Sequence, residues 1–126
     1  MKQGILKEWL AALRSGDYEQ GNGYLRTSAD EFCCLGVLCD LAHKAGVVSC
    51  EVSEDGADAS YRYGGIHGLG DFLPQEVRGW AQLDDWDVIV DAPSTYGHGR
   101  TTVSKMNDND SSFADIADAL EKELTK

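Results

Sequence analysis

No run of apolar residues in this chain approaches the length of a membrane-spanning helix. The opening Met1-Lys2-Gln3-Gly4-Ile5-Leu6-Lys7-Glu8 places charges where an export signal needs its apolar stretch. These absences predict a cytoplasmic protein with no membrane partner. Basic residues are also scarce: 11 Lys and Arg face 22 Asp and Glu, for a net charge of −11. Phosphate contact needs clustered Lys and Arg, so no direct nucleic acid binding is expected. The acidic excess leaves open an acidic mimic of DNA directed at a basic partner. The four cysteines include no Cys-x-x-Cys pair, and Cys33 and Cys34 are adjacent, which disfavours a bridge between them. In a reducing compartment they read as free thiols. There is no internal repeat.

What is present fits one domain spanning residues 1–126. Hydrophobic residues make up 42% and charged residues 26%, and the length suffices for a single core. The stretch Phe32-Cys33-Cys34-Leu35-Gly36-Val37-Leu38-Cys39-Asp40-Leu41-Ala42 is almost unbroken apolar surface and holds three of the four cysteines. From Leu35 to Lys44 the apolar residues surround the helix, which predicts a central buried helix ended by Gly46. Gly36 lowers helix propensity there and permits close approach by another element.

An amphipathic helix is predicted over Ile5 to Leu13, stopped by Gly16. A third begins with Pro74 at its first position and carries Val77, Trp80 and Ala81. The last is signalled by Ser112 with Asp115 three residues on and a stripe of Phe113, Ile116, Ala117, Leu120 and Leu124. Short strands are expected at Tyr24–Arg26, Val47–Val52, Tyr61–Tyr63, Trp86–Val90 and Thr101–Val103. The fold class is therefore α+β: about four helices packed with a few short antiparallel strands. The 14 glycines read mainly as tight turns between short elements.

Chemistry is less legible. Cys39 and His43 are four apart, as helical metal ligands often are, and Cys34 would be a third donor. Cys33 and Cys50 could complete the shell. Cys34 and Cys39, however, are about 140° apart around an ideal helix, and thiols among leucines and valines behave as small hydrophobes. No metal and no cofactor is expected. A thiol nucleophile would need His43, His67 or His98 as base, and burial raises a thiol's pKa. Gly65, Gly68 and Gly70 match neither the phosphate loop nor the dinucleotide fingerprint. Asn107-Asp108-Asn109-Asp110 lacks the glycine and distal glutamate of a calcium loop. The ligand-binding candidates are Tyr61, Arg62, His67, Tyr96, His98 and Arg100, on two glycine-flanked segments whose rings, imidazoles and guanidinia suit a small anion or a partner's carboxylates.

The run from Trp9-Leu10-Ala11-Ala12-Leu13-Arg14-Ser15-Gly16 through Tyr18-Glu19-Gln20-Gly21 and Leu25-Arg26 to the Cys33–Leu41 stretch resembles small proteins of tailed bacteriophages and prophages. Leu73-Pro74-Gln75-Glu76-Val77-Arg78-Gly79-Trp80-Ala81, Met106-Asn107-Asp108 and Ser112-Phe113-Ala114-Asp115-Ile116-Ala117 resemble the same group. The resemblance implies a phage accessory protein in the cytoplasm of a bacterial host, and it carries no activity or catalytic residues. The favoured expectation is a non-enzymatic binder that blocks a host protein or sequesters a small anionic signal, for instance a nucleotide, in countering host defence. The alternative is a small thiol- or metal-dependent hydrolase centred on the cysteine helix.

Overall fold

The computed structural model describes residues 1–22, 24–27, 29–53, 60–64, 72–91, 99–109 and 111–125. In chain order the described elements are helix α1 (Gln3–Ser15), strands β1 (Glu19–Gln20), β2 (Arg26–Thr27) and β3 (Glu31–Phe32), and helix α2 (Cys34–Lys44). Strands β4 (Cys50–Ser53) and β5 (Ser60–Tyr63), helix α3 (Gln75–Ala81), strands β6 (Ile89–Asp91) and β7 (Arg100–Thr102), and helices α4 (Val103–Asp108) and α5 (Phe113–Leu124) follow. The expected α+β class is correct. The described helices number five, because the six-residue α4 has too short an apolar pattern to stand out in the sequence.

Helix α2 is the centre. Cys34, Leu35, Gly36, Val37, Leu38, Cys39, Asp40 and Ala42 are all buried, as an apolar surface on every side requires. It packs against α1, α3 and α4, while α1 and α4 each pack against α5. Helix α1 contributes Ile5, Leu6, Trp9, Leu10 and Leu13 on one face, and Gly16 closes it in the left-handed conformation at φ 79°. Trp9 is fully buried and donates its indole N–H to the Cys34 carbonyl at 2.9 Å. A tryptophan in a core needs such a partner for its only donor.

Gly36 is where the chain must have glycine. A Cβ built on it would lie 1.7 Å from the Leu25 carbonyl oxygen, so the segment before β2 lies directly on the helix. The Cys33 N–H donates to that same carbonyl at 3.3 Å. The close approach expected at this glycine is therefore real, and its partner is main chain.

Helix ends follow local chemistry. Ser112 caps α5 by accepting the Asp115 N–H at 3.1 Å, as its spacing predicts. Thr102 caps α4 through the Lys105 N–H. Pro74 is the capping residue of α3, with extended ψ of 153°, one position before the first helical residue expected for it.

The strands form two small sheets. The larger runs β1-β3-β2-β5-β4, antiparallel throughout except for β1 beside β3. The smaller pairs β6 with β7, Val90 opposite Thr101. Asp87 fastens β6 to α4 by accepting the Ser104 hydroxyl and the Val88 N–H. A buried amide ties α4 to the start of the large sheet: Asn107 donates to the Gly21 carbonyl at 2.7 Å and accepts from the Gln20 amide at 2.9 Å. Among the described residues no helix is long and apolar enough to cross a membrane.

Candidate functional site

The richest polar grouping lies where the exposed end of α2 meets β1, β2 and β3. Asp40 is the one carboxylate in the buried stretch of α2, and it is only 6% exposed. Helical spacing sets Lys44 one turn on, with its ammonium 3.2 Å from Asp40 Oδ2. Tyr18, in the turn after α1, donates its hydroxyl to the same oxygen at 2.6 Å. Tyr63, the last residue of β5 and fully buried, donates to Oδ1 at 3.2 Å. Lys44 also donates to the Tyr18 hydroxyl at 3.2 Å.

This arrangement decides the protonation states. Burial is the largest influence on Asp40 and opposes its charge. The hydrogen bonds from Tyr18, Lys44 and Tyr63 and the positive charge of Lys44 together outweigh it, and the carboxyl is held below its ordinary value. Burial and the hydrogen bond to Asp40 push the Tyr18 phenol up. Burial, then the charge of Asp40, does the same for Tyr63. Both phenols are thereby kept as donors.

Arg26 forms the other wall. Its guanidinium lies 3.8 Å from the Tyr61 ring centroid and 5.0 Å from that of Phe32, and pairs with Asp30 at 2.5 Å. Phe32 in turn meets the Tyr18 ring edge-on at 4.9 Å. Between these groups opens a cleft of about 390 Å³, lined by Asp17, Tyr18, Glu19, Arg26, Asp30, Phe32, Asp40 and Lys44. Its two cations each have a carboxylate partner within the cleft. Asp17 and Glu19 add two negative charges that no described cation pairs with. The cleft is thus aromatic-walled and net negative.

The residues singled out from sequence fall in different places. Tyr61 is part of this grouping, as the platform beneath Arg26. Its neighbour Arg62 is exposed on β5. Arg100 lies on β7 in the other sheet, held by Asp91 at 2.8 Å and Glu123 at 2.7 Å. His67, Tyr96 and His98 lie outside the described residues. Tyr18, Arg26, Asp40 and Lys44 are not among the candidates that sequence pattern singles out. A charged residue inside an apolar helix, with Lys four positions on, was the available signal.

The thiols have a different character. Cys33 caps α2, its sulfur accepting the Gly36 N–H at 3.4 Å. A helix N-terminus normally lowers a thiol pKa, but here burial outweighs it and the value is pushed up to about 11. Complete burial also raises Cys34 and Cys39, and Cys34 donates to the Val103 carbonyl at 3.5 Å. His43 is exposed and bonds through Nδ1 to the Val48 carbonyl at 2.9 Å. Among the described residues no three His, Cys, Asp or Glu side chains are grouped to hold a metal.

The family model described as a domain of unknown function, DUF8296, matches residues 1–124. No curated protein and no solved structure matches the chain.

Proposed function

We propose that this chain, which belongs to the DUF8296 family, is a non-enzymatic binding protein whose cleft receives a basic side chain of a protein partner. The observation that carries the reading is the charge balance of the cleft: Arg26 and Lys44 are each matched, and Asp17 and Glu19 remain. An entering guanidinium or ammonium would gain those two carboxylates. A small anion would have to displace an internal ion pair first. This favours inhibition of a host protein over capture of an anionic signal. The resemblance of most of the chain to small tailed-phage proteins supports an accessory role inside a bacterial cell, with counter-defence as its context.

The hydrolase alternative is disfavoured by chemistry. Cys33, Cys34 and Cys39 are buried with pKa values driven up, the opposite of what a nucleophile needs.

The test is amide chemical-shift mapping with N-acetyl-argininamide and, separately, adenosine monophosphate. Argininamide should perturb Tyr18, Phe32 and Lys44, and the Asp17→Asn/Glu19→Gln variant should abolish the effect. Perturbation of these residues by the nucleotide alone would reinstate the anionic-signal reading.

A further inference from the structure

A second surface is built from different residues. Trp86 is 57% exposed, Ile89 48% and Phe72 38%, in a chain whose other tryptophans are wholly or partly buried. The Phe72 and Trp86 rings meet at 5.9 Å with a 58° tilt. The main chain holds them together, the Leu73 N–H donating to the Trp86 carbonyl at 3.2 Å. Leu73, next to Phe72, and Val88, two residues after Trp86, are buried and anchor both segments. These rings are therefore displayed from a fixed base.

Beside them lies a hollow of about 170 Å³ that has Ile89, Leu83 and Leu124 in its walls. Four carboxylate residues, Asp84, Asp85, Asp87 and Glu123, line it as well. Arg100 is engaged by Asp91 and Glu123, and the Arg78 guanidinium is turned onto the Asp84 carbonyl. Exposed tryptophan beside aliphatic surface is the composition of an interface centre, and the charged side chains lining the hollow are all acidic.

We propose that Phe72, Trp86, Ile89 and the acidic hollow form a docking surface for a basic segment of another protein that carries an apolar stripe. The apolar side chains would cover Trp86 and Ile89 while Lys or Arg side chains meet Asp84 and Asp85. A second copy of this chain is the wrong occupant, since it would bring the same acidic rim and a net charge of −11 against itself. The inference goes beyond the cleft and shares no residue with it.

The probe is a fluorescein-labelled, tryptophan-free peptide of leucine and lysine patterned as an amphipathic helix, titrated with the full chain. Its anisotropy is followed for parent and variants, and Trp emission for the parent. Saturable binding with a blue shift is expected. Trp86→Ser/Ile89→Ser should weaken it at least about tenfold, with an unchanged unfolding midpoint. The Asp17→Asn/Glu19→Gln variant should bind the peptide normally, which separates this surface from the cleft. The proposal is overturned if a lysine–serine peptide of equal charge binds as well, if the double variant binds like the parent, or if no binding occurs. Concentration-dependent dimerisation abolished by the double variant would overturn it in favour of self-association.

Discussion

Asn107 donates its side-chain amide to the main-chain carbonyl of Gly21 at 2.7 Å, across 86 residues of sequence. The same side chain accepts from Gln20, whose amide also donates to the Ser111 carbonyl at 2.6 Å. One buried amide thus fixes α4, and the turn into α5, against the first strand. Asn107→Leu keeps the branched shape but adds bulk and leaves the Gly21 carbonyl and one bond of Gln20 unmet. A loss of about 2–3 kcal/mol is expected in urea unfolding. Asn107→Asp should also destabilise, because a carboxylate would face the Gly21 carbonyl.

Gly36→Ala should be among the most damaging single changes. The methyl would sit 1.7 Å from the Leu25 oxygen, and the obstacle is backbone that cannot rotate away. Overpacking of this kind costs about 3 kcal/mol or more, despite alanine's better helix propensity. A thermal midpoint equal to that of the parent would contradict the close packing of Leu25 on α2.

Leu38 is wholly buried in the central helix. Leu38→Asp places a charge there with no partner and should abolish cooperative folding, as read by near-ultraviolet circular dichroism. A well-folded variant would refute the central position of α2.

The Asp40 grouping sets a pH window. Its folded carboxyl has a lowered pKa, so its contribution is complete above the ordinary value of 3.8 and is lost as pH falls through the folded value. Tyr18 and Tyr63 have raised values, so their contribution is complete below 10.0 and declines as pH rises beyond it. Tyr63→Phe removes one donor from Asp40 and should cost about 1.5–3 kcal/mol near neutrality. Its acid unfolding midpoint should also rise, whereas an unchanged midpoint would show that Tyr63 contributes nothing to the Asp40 charge.

Thiol reactivity should divide the cysteines. Cys33, Cys34 and Cys39 are buried, and Cys50 is only partly so. With a neutral-pH thiol reagent, Cys50 should react first, and the other three only at the rate of global unfolding. Rapid modification of Cys33 in the native state would reopen the nucleophile reading.

The helices were largely legible because each depends on local pattern. The buried surround of α2, the stripe of α5 and the stop at Gly16 all appear where periodicity and capping place them. Helix α4 was not legible: its burial of Val103, Met106 and Asn107 is decided by contacts with α2 and α5. The candidate site was mostly hidden for the same reason. Tyr18, Arg26 and Tyr63 are ordinary residues in sequence, and only the pairing of β2 with β5 and the placement of α2 bring them to Asp40. Tyr61 was found because aromatic-flanked arginine is visible locally. Its partner is Arg26, reached across the sheet, whereas the adjacent Arg62 points to solvent.

Helices α1 and α5 pack together, and Arg14 reaches Asp118 at 2.7 Å across a sequence separation of 104. A ribosome adding about 5–20 residues per second therefore releases α1 roughly 5–20 seconds before α5 exists to cover it. During that interval Trp9 and its apolar neighbours have only part of their final surroundings. The nascent chain should be most vulnerable to aggregation and proteolysis then, and a ribosome-stalled chain lacking α5 should engage holding chaperones that the full-length protein does not.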